Sequence, residues 1–112
     1  MNKNPEIQFR SPEEIKAYQE SRLAEELLYL QNHSRFYQHL FQAYHIDIQQ
    51  IKTIESLQQI PVTTKTDLQL HNEDFICVSR DEIIDYVTTS GTLGDPVTFV
   101  LTSEDLDRLA YN

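Results

Sequence analysis

The two glycines of this chain, Gly91 and Gly94, stand three residues apart, and the other 110 positions hold none. Every other reversal of direction must therefore be made without the one residue that takes positive φ freely. The stretch that holds them reads Tyr86-Val-Thr-Thr-Ser-Gly-Thr-Leu-Gly-Asp-Pro-Val97, and four hydroxyl side chains crowd it: Thr88, Thr89, Ser90 and Thr92. Two readings fit. Glycine, aspartate and proline are ordinary turn residues, so the segment can be an extended hairpin turn. Hydroxyls and exposed backbone N–H groups are also what a phosphate oxygen requires, so it can be an anion cradle.

The flanks place this loop between strands. Ile83 to Thr88 and Val97 to Leu101 are rich in β-branched and aromatic residues. Phe75-Ile-Cys-Val78 reads as a further short buried strand. Upstream, the pattern is helical. Ser11-Pro12-Glu13-Glu14 is a helix start, with Ser as cap, Pro at the first turn and Glu three residues after the cap. Ile15, Tyr18, Leu23, Leu27 and Leu30 then recur at helical spacing to about Gln31. Ser34 caps a second helix whose apolar face is Tyr37, Leu40, Phe41 and Tyr44. The aromatic set Tyr29, Phe36, Tyr37, Phe41 and Tyr44 is expected to form the core between these two helices. A short helical piece follows around Ile54–Leu57 and ends at Pro61. Thr64-Lys65-Thr66-Asp67 fits a capping box for another. At the far end, Thr102 or Ser103 caps a helix carrying Leu106, Leu109 and Ala110, with Glu104 and Asp105 at its positive end.

The organisation thus changes near residue 73. A helical segment, 1–72, precedes a strand–loop–strand–helix unit, 73–112, and the fold class is α/β. Three short strands make a poor sheet alone, and no stop signal closes the last helix, so the expectation is a segment of something longer. A naturally short helix that frays at Asn112 is the alternative.

Composition narrows the function classes. The net charge of −9 argues against a nucleic-acid binder and against polybasic membrane docking. No apolar run approaches the ~20 residues of a spanning helix, and the polar Met1–Arg10 stretch lacks the apolar centre of a signal peptide. Cys77 is the lone cysteine and sits in an apolar run, which reads as a buried, inert thiol. These features fit a cytosolic protein. His33, His39, His45 and His71 lack the i, i+4 spacing of metal ligands on one helix face and read as structural. No metal site is expected.

The loop lacks the G-x-x-x-x-G-K-[ST] of a P-loop and the G-x-G-x-x-G of a dinucleotide fold. Thr89-Ser90-Gly91-Thr92-Leu93-Gly94-Asp95-Pro96 instead resembles the phosphate-binding loop of adenylate-forming enzymes, [ST]-S-G-T-T-G-x-P. Leu28-Tyr-Leu-Gln-Asn-His-Ser-Arg-Phe-Tyr37 and Leu57-Gln-Gln-Ile-Pro-Val-Thr-Thr-Lys-Thr-Asp-Leu68 precede it in an order and spacing similar to the N-terminal region of phenylacetate–CoA ligases. The resemblance covers about Ile15 to Asn112. It implies ATP-dependent activation of a carboxylic acid to an acyl-adenylate with release of pyrophosphate, then displacement of AMP by coenzyme A. It implies ATP, Mg2+ and coenzyme A as cofactors, an aryl acid such as phenylacetate as substrate, and is compatible with a homodimer. Carried over by position, Thr89, Ser90, Gly91, Thr92 and Gly94 would surround the β- and γ-phosphates. Lys65 matches a lysine common in the family's segment before the loop, though a surface or helix-cap role fits it better.

The chain departs from the pattern at Leu93, which replaces a threonine, and Asp95 adds a negative charge beside the proposed phosphates. The family's adenine pocket, acid pocket, ribose-binding aspartate and catalytic lysine belong to later parts, so no catalytic residue is assigned here and the segment alone is expected to be inactive. Two rival readings remain: a helical dimerisation or docking module in which the loop is only a turn, and an adenylate-forming enzyme with an acceptor other than coenzyme A.

Overall fold

The computed structural model describes residues 6–89 and 96–111. Helix α1 spans Pro12–His33 and α2 spans Arg35–Ala43. Their boundary is one residue wide because Ser34 ends one helix and caps the next: the Tyr37 backbone N–H donates to Ser34 Oγ at 3.2 Å. At the start of α1 the Glu14 N–H donates to Ser11 Oγ at 3.2 Å, with Pro12 at the first helical position where its missing N–H costs nothing. Helix α3, Lys65–Leu70, begins with a complete capping box: Asp67 N–H donates to Thr64 Oγ1 at 3.1 Å, and Thr64 N–H donates to an Asp67 carboxylate oxygen at 2.9 Å. Helix α4, Ser103–Tyr111, repeats the arrangement with Thr102 and Asp105.

Glycine is scarce, and the end of α2 shows the consequence. His45 takes φ 52°, the left-handed region, and the Ile46 N–H then reaches the Phe41 carbonyl at 2.8 Å. A glycine is the usual occupant of such a position. Here a histidine carries the strain so that the chain can fold back under the hairpin.

That return builds the core. Leu27 of α1, Phe41 of α2 and Ile51 of the returning segment are buried together, with Leu23, Tyr37, Leu40, Ile46, Ile48, Leu57 and Ile60 packed around them. The aromatic set expected to fill the helix–helix interface does so only in part. Phe41 is buried, whereas Tyr44 is 61% exposed and Tyr29 41% exposed. Phe36 points elsewhere and stacks on Phe75 with ring centroids 4.1 Å apart. Tyr37 meets both Phe41 and Phe75 and shares a 2.7 Å hydrogen bond with the Thr63 hydroxyl.

The short strand expected at Phe75–Val78 does not form. Phe75 ends a 3-10 turn, Asn72–Phe75, and Ile76–Val78 run on without ladder pairing. Short apolar runs do not distinguish strand from other half-buried backbone, and here the ring of Phe75 is claimed by Phe36. The piece expected near Ile54–Leu57 is a 3-10 helix, Glu55–Gln59. Two strands form among the described residues, β1 at Asp85–Thr88 and β2 at Thr98–Leu101. They pair antiparallel, with Asp85 opposite Leu101 and Thr88 opposite Thr98. All four residues of β1 are exposed. The class is mostly helical with this small sheet.

Candidate functional site

The loop expected to bind phosphate leaves the open end of the β1–β2 ladder. Thr88 and Thr98 face one another there with hydroxyl oxygens 3.0 Å apart, a favourable cross-strand pair. One step further the Thr89 N–H donates to the Val97 carbonyl at 2.9 Å, and the Val97 N–H donates to Thr89 Oγ1 at 3.0 Å. Val97 is buried at 2% exposure. These bonds close a neck, and Ser90, Gly91, Thr92 and Gly94 fall between its two sides in the sequence. Those four candidate residues, with Leu93 and Asp95, lie outside the described residues; Thr89 is the candidate that the structure places. Its side-chain oxygen accepts the Val97 amide and so holds the base of the loop. A threonine at this position therefore has a structural reason that spacing alone does not reveal.

The neck is tied to the helical part through two side chains. Asn72 lies on the outer edge of β2. Its Nδ2 donates to the Thr98 carbonyl at 2.9 Å, and its Oδ1 accepts the Thr98 N–H at 2.8 Å. The paired donor and acceptor of the Thr98 backbone fix which way the carboxamide points. Ser34 is fully buried, and while its oxygen caps α2 its hydroxyl donates to the Asp74 carbonyl at 3.1 Å. The turn that carries Asn72 is thus pinned to the helical hairpin at one end and grips β2 at the other. Sequence reasoning identified Ser34 as a cap and missed its bond to Asp74. It missed Asn72 altogether, because a polar side chain in a turn-rich stretch gives no local sign of a partner 26 positions away.

The remaining candidates are ordinary. Cys77 is half-buried, its thiol donates to the Phe75 carbonyl at 3.4 Å, and burial pushes its pKa up, with Glu26 adding to the effect. A protonated, partly buried thiol is a poor nucleophile. Lys65 is the exposed first residue of α3. Among the described residues no group of three or more His, Cys, Asp or Glu side chains could hold a metal ion, and no helix is long and apolar enough to cross a membrane.

A cleft of about 860 Å³ lies away from the neck, between Glu26 and Tyr29 of α1, Asp81 and Glu82, and the start of α4. Carboxylates predominate on its walls, which disfavours a nucleotide there. A smaller cavity of about 210 Å³ lies beneath β2, lined by Asn72, Phe75, Cys77 and Thr98.

No protein-family model matches the chain. It is 33% identical over 107 residues to the phenylacetate–coenzyme A ligase of Thermus thermophilus, an alignment that takes in 95% of this chain and 24% of that protein. Among solved structures it is similar to 2-hydroxyisobutyryl-CoA ligase in complex with 2-HIB-AMP and CoA in the thioesterification state, with a TM-score of 0.86 and 27% identity over 96% of this chain and 24% of that one. An open conformation of the same ligase, also with 2-HIB-AMP and CoA, gives a TM-score of 0.85 and 25% identity over 96% of this chain and 26% of that one. The chain therefore spans about a quarter of the length of the relatives it matches, at their N-terminal part.

Proposed function

We propose that the polypeptide carrying this chain, a homologue of phenylacetate–coenzyme A ligase with the fold of the N-terminal part of an adenylate-forming CoA ligase, joins a carboxylic acid to coenzyme A at the expense of ATP. The acid, an aryl acid such as phenylacetate, attacks the α-phosphorus of ATP through a carboxylate oxygen. The bond to the bridging oxygen breaks and pyrophosphate leaves with the electron pair. The thiol sulfur of coenzyme A then attacks the acyl carbon, and AMP departs. The observation that carries this reading is the 33% identity to a ligase over 107 residues, 95% of the chain. Both named relatives are coenzyme A ligases, which favours that acceptor over another.

Within this scheme residues 73–112 present the phosphate loop and residues 1–72 form the helical platform beneath it. Negative charge gathers on pyrophosphate as the bond breaks, and donors already oriented towards that charge lower the barrier without reorganising. Ser90 and Thr92 supply hydroxyl donors, and Gly91 and Gly94 let backbone N–H groups approach the phosphates closely. Leu93 removes one hydroxyl from the family pattern, so Ser90 and Thr92 bear more of the contact. The described residues do not build a metal cage, and no step is assigned to Mg2+ or to a coenzyme A contact in this chain. The acid pocket and the catalytic groups are supplied from outside it, and the chain alone is inactive. The polypeptide works in the cytoplasm.

The test is ATP–pyrophosphate exchange by the complete polypeptide with phenylacetate and a panel of other carboxylic acids. Exchange that requires an acid and falls at least tenfold in Ser90→Ala or Gly91→Val is expected. Failure of every acid to stimulate exchange overturns the ligase reading.

A further inference from the structure

We infer that Asn72 is a positioning residue for the nucleotide: by clamping the outer edge of β2 it fixes Thr98 and Val97, the residues that follow the phosphate loop in the chain. The inference rests on the phosphate-loop reading above and adds a residue that neither sequence pattern nor family motif singled out.

A two-stranded ribbon is marginal by itself, and β1 is exposed along its whole length. In an antiparallel ladder successive residues turn their N–H and C=O groups to opposite sides. Val97 turns its groups inward to Thr89, and Thr98 turns its groups outward. An outer edge left open would hydrogen-bond to water and let β2 slide or twist relative to the helical part. Asn72 occupies that edge with one side chain, donating to the Thr98 carbonyl and accepting the Thr98 N–H at 2.9 and 2.8 Å. It thereby does the work of one residue of a third strand. The Asn72 backbone is held in turn, because its 3-10 turn is bonded to buried Ser34 through the Asp74 carbonyl and stacked against α2 through Phe36 and Phe75. Positional constraint passes from the α1–α2 hairpin through this turn to Thr98, and Thr98 is joined directly to Val97 at the neck. A loop that must offer several donors at fixed positions benefits from such an anchor, because small displacements of donors weaken hydrogen bonds steeply.

The clamp acts on the β- and γ-phosphates, so its loss should be felt by ATP and hardly by AMP. The experiment is calorimetric titration of the complete polypeptide with ATP and, separately, with AMP, for the wild type, Asn72→Ala, Asn72→Asp and Ser90→Ala. Asn72→Ala is expected to weaken ATP about tenfold, the scale of one or two net hydrogen bonds, with AMP affinity within twofold of wild type. Asn72→Asp keeps the acceptor for the Thr98 N–H and loses the donor, so it is expected to fall between the two and to decide the matter if the alanine variant does not fold. Unchanged ATP affinity in the folded variants overturns the inference. So does a parallel loss of ATP and AMP, which is the signature of general damage. Ser90→Ala separates the two readings. If it weakens ATP while the Asn72 variants do not, Asn72 has no positioning role and the loop stands. If Ser90→Ala also leaves ATP unchanged, the phosphate-loop reading itself falls, and this inference with it.

Discussion

Replacing Ser34 with alanine should cost the fold more than the loss of any exposed helix cap. Among the described residues Ser34 is the buried polar one, with 0% exposure. One oxygen serves two partners. It accepts the Tyr37 N–H at the start of α2 and donates to the Asp74 carbonyl. Loss of the cap alone costs about 1 kcal/mol. Loss of the second bond leaves a carbonyl facing a methyl group where water has little access, which adds about 1 kcal/mol or more. The sum is about 2 kcal/mol, a large share of the stability of a chain this size. Thr64→Ala is the control, since Thr64 caps α3 by the same kind of bond on an exposed surface; its loss should cost about 1 kcal/mol. Equilibrium urea unfolding of the two variants and the wild type measures both values. With unchanged slopes, the Ser34→Ala midpoint should shift about twice as far as that of Thr64→Ala. Equal shifts would refute the reasoning, because the bond to Asp74 would then contribute nothing and the turn bearing Asn72 would not be pinned from the helical side.

Three further outcomes follow from the packing. Tyr37→Phe removes the 2.7 Å bond to Thr63 while keeping the ring against Phe41 and Phe75, and should destabilise by about 1 kcal/mol in the same assay; no change would mean that water replaces the bond fully. His45→Gly relieves the left-handed backbone at φ 52° and should stabilise by about 0.5 kcal/mol, the relief of strain less the added freedom of the unfolded chain; destabilisation would show that the imidazole makes a contact worth more. Lys16 and Glu55 form an ion pair at 2.7 Å between α1 and the Glu55–Gln59 turn. The hydrogen bond to Glu55 raises the Lys16 pKa, and the hydrogen bond to Lys16 lowers that of Glu55. The pair therefore supports the fold at neutral pH. Its contribution is lost as pH falls through the lowered Glu55 pKa and as pH rises through the raised Lys16 pKa. Both groups are exposed and screened by salt, so NMR titration is the suitable measurement: Glu55 should titrate below an ordinary glutamate, and in Lys16→Met that displacement should shrink to the part that the backbone and Thr53 hydrogen bonds sustain.

The parts of the fold legible in the sequence are those set by neighbours in the chain. Ser11, Ser34, Thr64 and Thr102 each cap the helix that follows, because a cap needs only a side-chain oxygen two or three residues before its partner amide. The two strands around the glycine pair were legible from their β-branched content. Phe75–Val78 was misread because an apolar run reports burial without reporting geometry; Phe36, 39 positions earlier, draws Phe75 into a stacked pair. The aromatic residues expected to line the helix–helix interface were divided by the same long-range packing, with Phe41 inside and Tyr44 outside. For the candidate site, the position of the glycine pair between two strands was readable. The anchoring was not: Thr89 closing the neck onto Val97, Asn72 gripping Thr98 and Ser34 holding Asp74 all depend on how the chain returns on itself.

The most direct measurement is a crystal structure of the complete polypeptide soaked with ATP. The β- and γ-phosphate oxygens should lie within hydrogen-bond distance of the Ser90 and Thr92 hydroxyls and of the backbone N–H groups near Gly91 and Gly94, with the Asn72–Thr98 bonds intact. A triphosphate bound elsewhere, over a Thr89–Val97 connection folded as a plain hairpin turn, would contradict it.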